Sequence, residues 1–581
     1  MSAARAALVA AMLAGATGPA IAEVCAVATD GDDAKAALGA APFATATAAV
    51  EARTADGGWR CDEVRLAPGV YRQNLMVGRG GRDAEHPLVI APADDRLGSV
   101  TIDGQLDTVD PRRGLQAAVA IYDAGFVTIR RLVVRNDAGA YCNAAAFPTP
   151  AGPPSDSYCN VAGIYVADDQ RVPGGAGPHH IVLDGNHVTG VDRARLAVTR
   201  PGRSGAIFVA IPIAVVSFRD GLGVDGAPAP AEATHHIQIV GNVVDHCDTN
   251  ADDNTVPAIL VGGDVHDVLV ARNQVAHIRP TAALLGSGIE IRGERAEGDA
   301  ADPLRRARHV VIRDNHVRDV DIGVFVQSAT DALIERNRID DTDIGLQVMT
   351  EGPEGRTRPA GRAQRIWIRD NTFRGTKSWA VQMGMQDLGP GGYSPVDDLY
   401  VTSNTIVARH AMPDPRFDRY AVVLYTGIGG ASALRGNLIF ADYPHGGPNY
   451  LLRRDAPWLD PSTGVVLPLA IAVEDNLWFA RGTPRTGLFT SATVPALVVT
   501  RETFARFQRW GDGRGRFVEP GLADDAGHLA PGSPAIDAGT AERVPPWATR
   551  FGEYDDGVEL DCGGGPRVRG ERIDVGACEA P

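Results

Sequence analysis

RHVVIRDNHVRDVDIGVFVQSAT at 308–330 is followed at once by DALIERNRIDDTDIGLQVMT at 331–350, and the two segments carry one pattern. With Asn315 aligned on Asn337, 22 residues apart, Asp321 falls on Asp343, Gly323 on Gly345, and Val324 and Val326 on Leu346 and Val348. Alternating apolar residues in short runs, repeated at this period, describe a coil that cannot bury its apolar side alone. Such a coil must stack on copies of itself. The predicted fold class is therefore an all-β solenoid.

The pattern recurs along most of the chain. The corner asparagine returns as Asn186, Asn242, Asn273, Asn371, Asn404, Asn437 and Asn476, while an earlier coil (VTIRRLVVRN) has Leu132 in its place. Each Asn lies between two alternating runs, as a one-residue bend would. Asn tolerates the left-handed conformation better than other non-glycine residues, so the bend is assigned to the Asn itself. Stacked coils repeat every ~4.8 Å, which lets the side-chain amides bond along a ladder.

These repeats resemble the right-handed parallel β-helix proteins of the pectate lyase-like superfamily, which includes pectate lyases, alginate lyases, chondroitinase B, polygalacturonases and mannuronan epimerases. The resemblance covers 61–481. Two segments, 66–104 and the LAPGSPAIDAGT and GERIDVGACE stretches near the end, are similar to segments that flank such helices. It implies an all-β right-handed parallel β-helix with N- and C-terminal caps, and an extracellular polysaccharide as partner. The expected organisation is a signal peptide at 1–22, an N-terminal cap at 23–60, the β-helix at 61–481 and a C-terminal cap segment at 482–581.

Composition narrows the function. The first 22 residues have one early Arg5, an Ala/Leu/Val run and Ala20-Ile21-Ala22 before Glu23, which predicts a cleaved secretory signal and a secreted or periplasmic protein. No later segment is long and apolar enough to span a bilayer. The net charge of −16, from 56 basic and 72 acidic residues, argues against nucleic acid as a partner. A polyanionic glycan would need basic groups or a cation concentrated locally. Lys35 and Lys377 are the only lysines, which leaves Lys377 as the candidate catalytic lysine. The seven cysteines suggest pairing by proximity: Cys25 with Cys61, Cys142 with Cys159 and Cys562 with Cys578, with Cys247 buried. A monomer is expected.

Candidate site residues come from stacking the strands that begin with Gly or Ala: GIYVADD, AILVGGD, GIEIRGE, GVFVQSA, GLQVMTE, AVQMGMQ and AVVLYTG. Their second and fourth positions are apolar and point inward, so the third, fifth and seventh face outward. Long insertions leave both ends of these strands, walling a groove. Its floor would carry Tyr165, Glu290, Phe325, Gln347 and Gln382 in one row, Arg292, Gln327 and Tyr425 in the next, and Asp169, Asp264, Glu294 and Glu351 in the last. Aromatic rings suit sugar faces, while amides and charges suit hydroxyls and carboxylates. The bland alternative is a solvated polar sheet face.

Asp264 and Glu294 on adjacent coils would either share a cation or split their pKa values, as general acid catalysis requires. Gly262-Gly263 threatens that register. In the alginate lyase and chondroitinase B family, groove carboxylates bind calcium while Lys and Arg act as base and acid. Glu290 and Arg292 resemble part of that arrangement, although no Lys follows at the family's motif position. The expected catalytic set is Glu290, Arg292, Lys377, Asp264 and Glu294. The candidate cofactor is Ca2+, held by Asp248, Asp252, Asp264 and Glu294. A uronate lyase is favoured, with a glycoside hydrolase on the same groove and a non-catalytic surface or adhesion protein as alternatives.

Overall fold

The computed structural model describes residues 23–104, 115–137, 159–168, 177–192, 208–217, 233–249, 256–280, 286–293, 306–350, 363–384, 396–409, 419–425, 427–442, 449–454, 458–459, 466–467, 469–481, 489–491, 494–497, 514–524, 527–540, 545–551, 560–562 and 565–580. Within them the chain winds as a right-handed parallel β-helix. Each coil lays one strand on each of three sheets in turn, and each sheet reaches 13 strands. In the coil that decides the reading, Arg308–Arg313 lies on the first sheet, His316–Val320 on the second and Ile322–Gln327 on the third. The next coil pairs Asn for Asn with it: Val310 opposes Ala332, Val317 opposes Ile339, and Val324 opposes Leu346. Alternation drives the fold, because Ile312, Val317, Val324 and Val326 are fully buried in one continuous core with Ile334, Ile339, Leu346 and Val348.

The asparagines form a single line between the first and second sheets. From Asn242 to Asn476 each Oδ1 accepts from the Nδ2 of the preceding Asn at 2.9–3.1 Å, and from Asn186 onward each Nδ2 also donates to a backbone carbonyl. Leu132 takes the equivalent corner in the earlier coil, its N–H donating to Asn186 Oδ1 at 3.1 Å. One expectation is corrected. The left-handed bend falls on the residue before each Asn: Gly185, Gly241, Arg272, Asp314, Arg336, Asp370, Ser403, Gly436 and Asp475, at φ of 50–65°. The Asn side chain must point into the core to reach its neighbours, so the bend is left to a preceding residue whose side chain points away or is absent.

Strand pairing begins at Val24–Val27, which lies parallel to Glu63–Leu66. The segment 23–60 therefore supplies a strand of the first sheet together with two short helices, Asp33–Ala37 and Ala46–Glu51, capped by Asp32 and Thr45. Cys25 and Cys61 are bridged, as are Cys562 and Cys578. Both bridges follow the proximity expectation and suit an oxidising compartment. Cys247 is fully buried. The side chains of Cys142 and Cys159, and the leader 1–22, lie outside the described residues. Among the described residues no helix is long and apolar enough to cross a membrane.

After one further strand at Arg516–Phe517, the C-terminal segment returns along the outside of the coil. Leu529, Ala535 and Val575 pack on Val407, Leu438 and Phe440 of the second sheet, and Arg567 Nε lies 3.1 Å from Asp370. Within this segment Glu579 is 5% exposed and accepts a hydrogen bond from Arg567. Burial pushes its carboxyl up to about 7 from an ordinary 4.5, against the pull of Arg567 and with a further push from Asp574 and Asp561. The folded chain thus favours the proton. The stability this contributes is present below about pH 4.5 and lost as pH rises through about 7, with a magnitude on the order of 3 kcal/mol. Hydrogen exchange at the Ala577 amide, corrected for intrinsic rates, should show weaker protection at about pH 8.5 than at about pH 5.5. Equal protection at both would contradict this, and Glu579→Gln should remove the dependence.

Candidate functional site

The outer face of the third sheet is the expected floor. Pairing register runs from Tyr165 through Ala214 and Leu260 to Glu290, then Phe325, Gln347 and Gln382. Arg292 opposes Gln327, and Gln327 opposes Met349. Tyr425 N–H donates to the Met383 carbonyl at 2.8 Å, which continues that second row. Both rows thus exist as the repeat implies.

The floor is far less open than expected. Glu290 and Gln382 are fully buried, and Tyr165, Phe325, Gln327, Gln347 and Tyr425 are each under 9% exposed. Rows of large side chains at ~4.8 Å spacing cover one another, and the reading from alternation alone overlooked this. Groups that keep some exposure include Arg292, Met349, Trp379 and Arg453.

At the centre of the floor the Glu290 carboxylate lies beneath the Arg292 guanidinium. Arg292 Nε is 3.2 Å from Glu290 Oε1 and donates to Gln327 Oε1 at 2.9 Å, while Ser287 Oγ donates to Glu290 Oε2 at 2.9 Å. A fully buried carboxylate carries a large desolvation cost that an adjacent cation and hydrogen bonds offset. The arrangement holds the arginine head, 23% exposed, in one orientation at the surface of the floor.

Toward the C-terminal coils the floor turns aromatic. Arg453 lies over Tyr425 at 4.9 Å and over Tyr420 at 5.7 Å, with Trp379 packed beside them. Toward the N-terminal coils it is apolar, with Tyr122 meeting Tyr165 edge-on at 6.1 Å. The sequence reading missed Ser287, Trp379, Tyr420 and Arg453. Three of these belong to a row formed by Ser287, Ile322, Ile344, Trp379 and Tyr420. That row sits one residue before the Gly/Ala start, and a frame extended backward by one residue would have found it. Arg453 follows Asn449 in a coil that lacks the Gly/Ala start altogether.

The other expected residues do not converge on this centre. Gly263 is left-handed at φ 76°, and strand pairing stops at Gly262 opposite Arg292. Asp264 therefore leaves the floor for the corner leading to the first sheet. There it is 1% exposed, with its Oδ1 2.7 Å from Arg308. Lys377 is exposed at the corner before Trp379–Met383 and pairs with Asp343 at 3.0 Å. Three strand steps separate that coil from Gly286–Arg292, or about 14 Å along the axis, too far to act with Arg292. Asp169, Asp252, Glu294, Glu351 and the side chain of Asp248 lie outside the described residues. The expected calcium set is thus represented by Asp264 alone, and its commitment to Arg308 does not fit a calcium ligand.

No protein-family model and no curated protein sequence matches the chain. Solved structures match in overall fold. A structure described as the complex of XylC with xylose is 10% identical, covering 96% of this chain and 99% of its own, at a TM-score of 0.48. Pectate lyase Pel9A is 10% identical over 96% of each chain at a TM-score of 0.37. The GH136 lacto-N-biosidase of Eubacterium ramulus is 14% identical over 81% of this chain and 67% of its own, at 0.38. At such identities and scores these likenesses concern architecture and leave the chemistry to the residues of the site.

Proposed function

We propose that this parallel β-helix binds an acidic polysaccharide along the outer face of its third sheet and cleaves it, by elimination at a uronate in preference to hydrolysis. One observation carries the reading: a partly exposed arginine, Arg292, is fixed from below by the fully buried Glu290 and from the side by Gln327. In a chain of net charge −16, that is the kind of local cation an anionic glycan needs. Arg292 would pair with the uronate carboxylate and so acidify the adjacent C–H. That proton would pass to solvent, its electron pair would form the C=C bond, and the departing glycosidic oxygen would take a proton from solvent. The flanking rings and amides would hold the sugars on either side. Glu290 acts through Arg292 and is a positioning residue.

Hydrolysis is less well supported, because it calls for two carboxylates facing one bond. Among the described residues of the two floor rows Glu290 is the only acid, and Asp264 is tied to Arg308. The remoteness of Lys377 favours a second reading, binding without cleavage.

The test is a panel of acidic and neutral polysaccharides, followed both by ultraviolet absorbance of unsaturated uronates and by new reducing ends. Absorbance with new ends on an acidic polymer is the expected result. New ends without absorbance would point to hydrolysis. Neither signal, with acidic polymers still bound, would leave the binding reading.

A further inference from the structure

The first sheet, away from the proposed floor, carries a second cluster that the polysaccharide reading does not use. Strands His179–Asp184 and Thr234–Val240 lie on adjacent coils, with His179 opposite His235. Each coil therefore brings a His-His pair to the same corner. Consecutive residues of a regular strand point to opposite faces. Here His180 and His236 adopt left-handed φ of 53° and 54°, which turns both imidazoles of each pair outward together.

The four rings form a stacked block. His179 and His235 stack at 5.3 Å with an interplanar angle of 11°, and His180 and His236 at 4.6 Å and 7°. Within each pair the two Nδ1 atoms approach to 3.0 Å and 2.6 Å. One ligand nitrogen each from His180, His235 and His236 lies within 4.8 Å of the others. Two nitrogens bound to one metal at 2.0–2.1 Å stand roughly 2.9–3.4 Å apart for angles between square-planar and tetrahedral. The Nδ1 pair of His235 and His236 is already closer than this range, and the remaining ligand nitrogen must turn inward by ring rotation to meet a shared ion.

The surroundings agree with a cation. Imidazoles with ordinary titration are mostly uncharged at neutral pH and offer their lone pairs there. One coil further on, Asp267 is 6% exposed and hydrogen-bonded by His266 Nδ1 at 2.8 Å, with His309 at 3.2 Å and Arg550 at 2.9 Å. Burial alone would raise its carboxyl, but these partners hold it below the usual range, so the group stays anionic beside the cluster. It is a nearby anion whose charge is shared with Arg550. His236 is exposed, so an ion has a path from solvent.

We propose that His180, His235 and His236 form a binding site for a divalent transition-metal ion of the imidazole-preferring class, Zn2+, Ni2+ or Cu2+, with water completing its coordination. Calcium and magnesium, which require oxygen ligands, are excluded from it by its chemistry. An ion held there clips two adjacent coils together. Because it binds the folded chain and no preformed site exists in the unfolded one, it raises the melting temperature, by an amount that grows with the logarithm of free metal above its dissociation constant.

The full-length protein, stripped of metal, is titrated with zinc chloride in a calorimeter, and its thermal midpoint is read with and without Zn2+, Ni2+ and Ca2+. His180→Asn, His236→Asn and the double variant serve as probes, since Asn tolerates left-handed φ and leaves the bend intact. His86→Asn is the control for the exposed group Asp83, Glu85 and His86. The expected result is zinc binding with a rise in midpoint. Affinity should fall at least tenfold in each single variant and remain unchanged in the control, and calcium should have no effect. Should the double variant fail to fold, Cu2+-loaded wild type is examined by electron paramagnetic resonance, where hyperfine coupling to at least two imidazole nitrogens is expected. The proposal is overturned if wild type binds none of these metals, if zinc affinity survives the double substitution, or if the copper spectrum shows oxygen ligands alone.

Discussion

Replacing Asn337 by alanine is expected to destabilise the protein by about 3–5 kcal/mol, as the sum of several orphaned buried groups at about 1–3 kcal/mol each. Asn337 Oδ1 accepts from the backbone N–H of Asn315 at 3.0 Å and from its side-chain amide at 2.9 Å. Its own amide donates to the Ile312 carbonyl at 2.9 Å and to Asn371 Oδ1 at 3.0 Å. All of this happens at 1% exposure, so water cannot replace what is lost. Asn337→Asp should be no milder, because a carboxylate cannot donate to Ile312 or Asn371 and would be a buried charge. Urea unfolding followed by circular dichroism measures the effect. A loss below about 1 kcal/mol would mean that the amide line decorates the stack and does not hold it.

The second large effect concerns Arg292. Substitution by glutamine keeps length and polarity but removes the charge that would meet a uronate. Turnover of the preferred acidic polymer should fall on the order of 10²–10³-fold, the usual consequence of deleting one preorganised stabilising group. Glu290 is a poorer probe than its place in the sequence suggests. As a floor residue it would be exposed and cheap to replace. It is instead fully buried beneath Arg292, so Glu290→Ala breaks a buried pair, at about 3–5 kcal/mol. Glu290→Gln, which keeps the shape, should fold and weaken turnover less than Arg292→Gln does. Equal activity in wild type and Arg292→Gln would end the assignment.

The sequence carried the fold because the repeat is written in the same residues that make it. Asn315 and Asn337 announce the line of amides, and the alternation around Val324 and Leu346 announces the core. The bend was misplaced by one residue because Asn is both a turn former and a ladder former, and spacing alone does not separate the two roles. Floor rows were legible for the same reason as the core, since side-chain direction in a strand follows from parity. Burial of the floor was not, because exposure depends on what neighbouring coils place at ~4.8 Å. Asp264 went astray at a single left-handed glycine, Gly263, which ends the parity count. Lys377 and Arg292 lie at opposite ends of third-sheet strands and on coils three strand steps apart, which separates their chemistry.

The central claim is that the Arg292 centre on the third sheet recognises an acidic polysaccharide. Equilibrium binding of a uronate-rich polymer and of a neutral one, to wild type and to Arg292→Gln with matching circular dichroism, tests it most directly. The expected result is that wild type prefers the acidic polymer, that the preference weakens as salt is raised, and that Arg292→Gln loses at least about tenfold in affinity, or 1.4 kcal/mol. Equal affinity in the two proteins, or a wild-type preference for the neutral polymer, would contradict it.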